Sequence, residues 1–156
     1  MINKYFLEEP NILDLSKEIF NAVVDQNLKV ETRFELISKK IEYAETVNFI
    51  LADGLGFSNL QSTDSFLNEH INNVVNTTFP SSTNVALTTI AMQTNPIDHG
   101  VFGYYMFDKL KHGLINALNW NAENKNLLLS KYFNNQSSIW RIFKENNIYA
   151  SNFQPK

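Results

Sequence analysis

ETVNFILADGLG, residues 45–56, is the stretch whose reading decides the fold. VNFILA (47–52) favours β structure, is nearly all apolar, and stops abruptly at Asp53-Gly54-Leu55-Gly56. A continuous apolar run that ends at a glycine-containing turn reads as a strand buried on both faces of a parallel sheet. Downstream, NVVNTTF (73–79) repeats the pattern and gives way to Pro80-Ser81-Ser82. Val85, Leu87, Ile90 and Ala91 then predict a helix over 83–92, with Ser81 or Ser82 as its N-cap. IYASNF (148–153) reads as a third strand. Upstream, Ile12, Leu15, Ile19 and Val23 predict a helix over 10–25, and Phe34, Leu36, Ile37 and Ile41 a second over 32–41. Ile139, Trp140, Ile142 and Phe143 give an amphipathic helix over 136–147. Strands alternating with helices imply an α/β fold, a parallel sheet with flanking helices. A parallel strand is normally followed by a helix that covers the sheet. The chain stops soon after its third strand, so it reads as truncated after the N-terminal half of such a fold.

The wider composition narrows the function. The 156 residues carry a net charge of −3, with 44% hydrophobic and 19% charged residues, which is ordinary for a folded chain. Mild acidity provides no electrostatic footprint for nucleic acid or an anionic membrane. No apolar run approaches the roughly 18 residues of a membrane span, and the N-terminus MINKYFLEEP has no signal-peptide core. The expected compartment is therefore the cytoplasm. Cysteine is absent, so disulfides, thiolate nucleophiles and cysteine-ligated zinc are excluded together. Any metal must be held by oxygen or by histidine nitrogen. The 22 Asn are scattered and form no prion-like tract.

Two segments carry the chemistry. Asp53 sits at the expected carboxyl end of the first strand, where open α/β sheets bind ligands, although an Asp-Gly pair is also a common turn. In FPSSTN (79–84), Thr83 falls where the second strand passes into a helix. Free N–H groups and the positive end of the helix dipole there favour an alkoxide or a phosphate oxygen. A free threonine hydroxyl is a poor nucleophile and needs a metal or a base, and Ser82 and Thr83 equally suit a plain helix cap. Taken together, the two segments bring two oxygen donors to one end of neighbouring strands, where they can share one divalent ion. Gly54-Leu55-Gly56 also suggests a dinucleotide loop, but the third glycine of that motif is Asn59, and Asp53 would repel a pyrophosphate.

VNFILADGLGFSNL (47–60) followed by TTFPSSTNVALTTIAMQTNPIDHGVFGYYMF (77–107) resembles the alkaline phosphatase superfamily, specifically its type I phosphodiesterase/nucleotide pyrophosphatase branch. The resemblance runs from Thr46 to Tyr105. It implies that Asp53 is a metal ligand and that Thr83, in an F-P-[ST]-x-T segment, is the nucleophile and also contacts the metal. Pro96-Ile97-Asp98-His99-Gly100 matches a P-x-x-H-G element, in which the histidine is structural. Asn84 and Tyr104 become candidates for substrate contact; Tyr104 stands where nucleotide pyrophosphatases carry a phosphate-binding asparagine. Met92-Gln93 replaces a frequent Thr-Gly.

The resemblance further implies two zinc ions, with the second site's ligands supplied by a longer chain than this one. It divides the chain into an N-terminal helical segment (1–44) and the N-terminal portion of the catalytic domain (45–156). The implied activity is hydrolysis of a phosphodiester or phosphomonoester, a small-molecule substrate, through a covalent phosphothreonine. The 156 residues alone are expected to be inactive, and to need a complementary C-terminal segment or to self-associate. His70 and His112 match no ligand. The alternative is a non-catalytic remnant or interaction module that keeps half of the fold.

Overall fold

The computed structural model describes residues 9–24, 37, 40–41, 44–108, 113–117, 121–122 and 138–153. Among them lie six helices: α1 (Ile12–Val24), α2 (Phe57–Gln61), α3 (Phe66–Glu69), α4 (Thr83–Met92), α5 (Pro96–His99) and α6 (Ile139–Glu145). Three short strands, β1 (Tyr105–Asp108), β2 (Gly113–Asn116) and β3 (Asn121–Ala122), complete the elements.

The first turn of α1 is capped at both ends of a short loop. Asn11 Oδ1 accepts from the Leu13 and Asp14 amides at 2.8 and 3.3 Å, and Asp14 Oδ2 accepts from the Asn11 amide at 3.0 Å. Two of the four N–H groups that a helix start leaves unpaired are thereby satisfied by one side chain. Helix α4 is the hub, packing against α1, α5 and α6. Its buried set, Asn84, Val85, Thr88, Thr89, Ile90 and Met92, spreads around the helix, as expected of one surrounded by other elements. Phe20 of α1 meets Phe49 and Phe143 edge-on, with ring centroids at 5.6 and 5.7 Å, and so joins α1, the 47–52 segment and α6.

The expected parallel α/β sheet is not found among the described residues. Every ladder is antiparallel: β1 pairs with β2 in the register Met106 to Ile115, and β2 pairs with β3 in the register Ile115 to Ala122. Residues 47–52 and 148–153 are extended but join no ladder among the described residues. Segment 73–79 makes a single parallel bridge, from Asn76 to Asn11, through Ile12 N–H to Asn76 O at 2.8 Å and Asn76 N–H to Pro10 O at 3.0 Å. The entry to α1 therefore occupies the N–H and C=O of Asn76. An apolar β-favouring run specifies extended backbone, whereas pairing depends on what lies beside it. A parallel sheet also needs cover on both faces. Ile50, Tyr149 and Phe153 instead stand 87%, 92% and 91% exposed.

The antiparallel hairpin lies where the sequence pattern names no strand. Its side chains do alternate, with Tyr105 and Phe107 exposed while Met106 packs on the core formed by Val85, Val101 and Ala117. Of the helix expected over 32–41, residues 37, 40 and 41 are described, as helix; the remainder, like His112 and Trp120, lies outside the described residues.

Candidate active site

Asp53 and Thr83, thirty residues apart, meet. Thr83 Oγ1 lies 3.2 Å from Asp53 Oδ2 and 3.4 Å from Oδ1. The Tyr104 hydroxyl lies 3.3 Å from the same Thr83 oxygen. All three contacts exceed the about 2.7–2.8 Å of a strong O–H···O bond. The oxygens thus form an open cluster around one hydroxyl, on the exposed surface.

Local sequence explains each placement. Asp53 opens a turn completed by Gly54 at φ +73°, a conformation that a side chain would strain. The turn is pinned by the Gly56 amide and the Asn59 side-chain amide, both donating to Gly54 O, at 3.1 and 3.2 Å. Thr83 is the first residue of α4; Ser82 sits at the N-cap in extended conformation, and its hydroxyl makes no capping bond. It donates instead to Asn84 Oδ1 at 2.9 Å. Tyr104 lies just before β1, and its carbonyl accepts from the Ala117 amide at 2.7 Å. The packing of Val85 against Val101, Ala117 and Met106 brings the start of α4 to the hairpin.

Asn84, the second substrate-contact candidate, is not brought to this surface. It is buried, and its side-chain amide donates to the Gly103 carbonyl. It thereby ties the first turn of α4 to the loop that carries Tyr104. Reading the sequence missed this bond, although an Asn in the first turn of an otherwise apolar helix is a polar group that burial obliges to find a partner.

His99 is also buried. Its Nδ1 accepts from the Val101 amide at 3.1 Å, so Nε2 carries the proton and donates to Thr89 Oγ1 at 2.9 Å. Burial lowers its pKa from the ordinary 6.5, against a smaller upward pull from Asp98. Gly100, at φ +75°, ends α5 directly after it. His70 Nδ1 contacts Phe66 O at 2.8 Å within α3 and the turn after it.

No family model, curated protein or solved structure matches this chain.

Two oxygens held about 2.0–2.2 Å from one ion at tetrahedral or octahedral angles stand roughly 3.0–3.5 Å apart. The 3.2 Å between Thr83 Oγ1 and Asp53 Oδ2 fits two neighbouring positions around a single cation. A carboxylate and a hydroxyl are hard donors, suited to zinc, magnesium or manganese. Among the described residues no group of three or more His, Asp or Glu side chains gathers to complete such a site. No described helix is long and apolar enough to cross a membrane.

Proposed function

We propose that Thr83 is the nucleophile of a metal-dependent phosphoester hydrolase, as its resemblance to the type I phosphodiesterase/nucleotide pyrophosphatase branch implies. The observation that carries the reading is the 3.2 Å approach of Thr83 Oγ1, at the start of α4, to the Asp53 carboxylate. The hydroxyl donates to that carboxylate, so a proton acceptor is already in place. Free amides at the start of α4 and its dipole favour negative charge where the phosphoryl group would arrive.

The attack forms a bond from Oγ1 to phosphorus and breaks the bond to the leaving alkoxide or phenolate, which departs with the electron pair; the hydroxyl proton passes to Asp53. A phosphate brought up to Asp53 meets a like charge, which argues for a cation between them. Asp53 and Thr83 would hold that cation, whose chemistry is to acidify the hydroxyl and neutralise phosphoryl charge. Release of phosphate from Thr83 needs an activated water, and further donors from a complementary segment would supply it. The 156 residues alone are then expected to accept one phosphoryl group and stop.

The test is mass spectrometry of the chain after incubation with zinc and either p-nitrophenyl phosphate or bis(p-nitrophenyl) phosphate. Phosphothreonine at Thr83 from the monoester, or its p-nitrophenyl ester from the diester, absent from Thr83→Ala and strongly reduced in Asp53→Asn, is expected. Equal labelling of other hydroxyls, or none at Thr83, would leave the alternative of a non-catalytic module.

A further inference from the structure

We infer that the Tyr104 hydroxyl is a catalytic hydrogen-bond donor to Thr83 Oγ1 itself, rather than a contact for the substrate's phosphoryl oxygens; this rests on reading Thr83 as the nucleophile. A threonine hydroxyl has one proton and two acceptor lone pairs. Asp53 presents its carboxylate oxygens to that hydroxyl at 3.2 and 3.4 Å, and a carboxylate can only accept. The Thr83 proton therefore points at Asp53. Tyr104 Oη, at 3.3 Å, meets a lone pair of Thr83 and must itself be the donor.

When the Thr83 proton passes to Asp53, negative charge appears on the atom that the Tyr104 O–H already faces. A hydrogen bond to a charged oxygen is stronger than one to a neutral oxygen. Tyr104 thus stabilises alkoxide over alcohol and makes Thr83 more acidic. The dipole of α4 acts in the same direction. Two bonds hold the tyrosine in place. The buried Asn84 amide, on α4, donates to the Gly103 carbonyl, and the Ala117 amide holds the Tyr104 carbonyl at 2.7 Å. Asn84 is accordingly a positioning residue: it couples the turn bearing the nucleophile to the loop bearing its donor.

Acyl transfer from p-nitrophenyl acetate tests this independently of phosphate chemistry. There Oγ1 bonds to the acetyl carbon, the bond to p-nitrophenolate breaks, and the proton passes to Asp53. Acetylation at Thr83 would be followed by mass spectrometry between pH 6 and pH 10, in the wild-type chain, Tyr104→Phe and Thr83→Ala, with inorganic phosphate binding measured by calorimetry. We expect Tyr104→Phe to acetylate Thr83 about 10- to 100-fold more slowly across this range. Phosphate affinity and melting temperature should match the wild type. Tyr104-dependent acetylation without any phosphothreonine would remove the phosphoester reading and leave this inference standing. The same acetylation rate in Tyr104→Phe across this range, or no acetylation at Thr83, would overturn it. So would weaker phosphate binding in Tyr104→Phe with acetylation unchanged, which would put Tyr104 on the phosphoryl oxygens.

Discussion

At the scale of single residues, His99 shows how one buried ring can carry a pH dependence. Its Nδ1 must stay unprotonated to accept from the Val101 amide. Burial holds its folded-state pKa below 6.5, while the unfolded chain takes up the proton near that ordinary value. The unfolded state therefore binds more protons as pH falls through this window. The His99 contribution is fully present above about pH 6.5 and is lost as pH drops towards the lowered value. Urea denaturation from pH 8 to pH 5 should show that loss, and His99→Gln should flatten it. Thr83→Ala should leave the fold within about 0.5 kcal/mol of wild type, because the first helical position tolerates alanine and the side chain closes no buried bond. Its effect belongs to chemistry. Asp53→Asn keeps an acceptor but removes the charge, and labelling of Thr83 should fall about 10²-fold or more. The meeting of Asp53 with Thr83 was legible as two oxygen donors, each where an extended segment gives way to a turn or a helix. The contact of Tyr104 with Thr83 was not. It depends on the hairpin register and on a buried Asn84, neither of which leaves a periodic trace.

At the scale of elements, the longer helices were legible, while the short helices α2, α3 and α5 and the strands were not, for a physical reason. A helix satisfies its own backbone, so local spacing and local caps define it. The helix expected over 83–92 coincides with α4, and Asn11, near the start of the helix expected over 10–25, caps α1. A strand leaves its N–H and C=O groups to be satisfied by a neighbour, and nothing in residues 47–52 names that neighbour. Strands β1 and β2 left no clear signal because, among their described residues, only Met106 and Ile115 face the core strongly, beside polar and exposed aromatic residues. The cap of α1 is a testable part of this picture. Asn11→Ala removes the acceptor for the Leu13 and Asp14 amides and should cost about 1 kcal/mol in chemical denaturation. A smaller loss than that of an exposed control substitution would show that tertiary packing alone sets the start of the helix.

At the scale of the whole molecule, the distribution of apolar surface dominates. Val47, Phe49, Ile50 and Leu51 on one extended segment, and Tyr149 and Phe153 on another, are exposed on backbones without a ladder partner among the described residues. Extended, apolar and unpaired backbone is a template for strand addition. The chain should therefore self-associate with rising concentration in sedimentation or light scattering, and Ile50→Glu should weaken that association. A monodisperse monomer at every concentration would show that these segments are adequately covered.

The central claim, that Thr83 takes a phosphoryl group from an ester, is tested most directly by stoichiometry. With zinc and excess bis(p-nitrophenyl) phosphate, the 156-residue chain should release one equivalent of p-nitrophenolate per chain and stop, and Thr83→Ala should release none. Continuous release, or the same release from Thr83→Ala, would contradict the account.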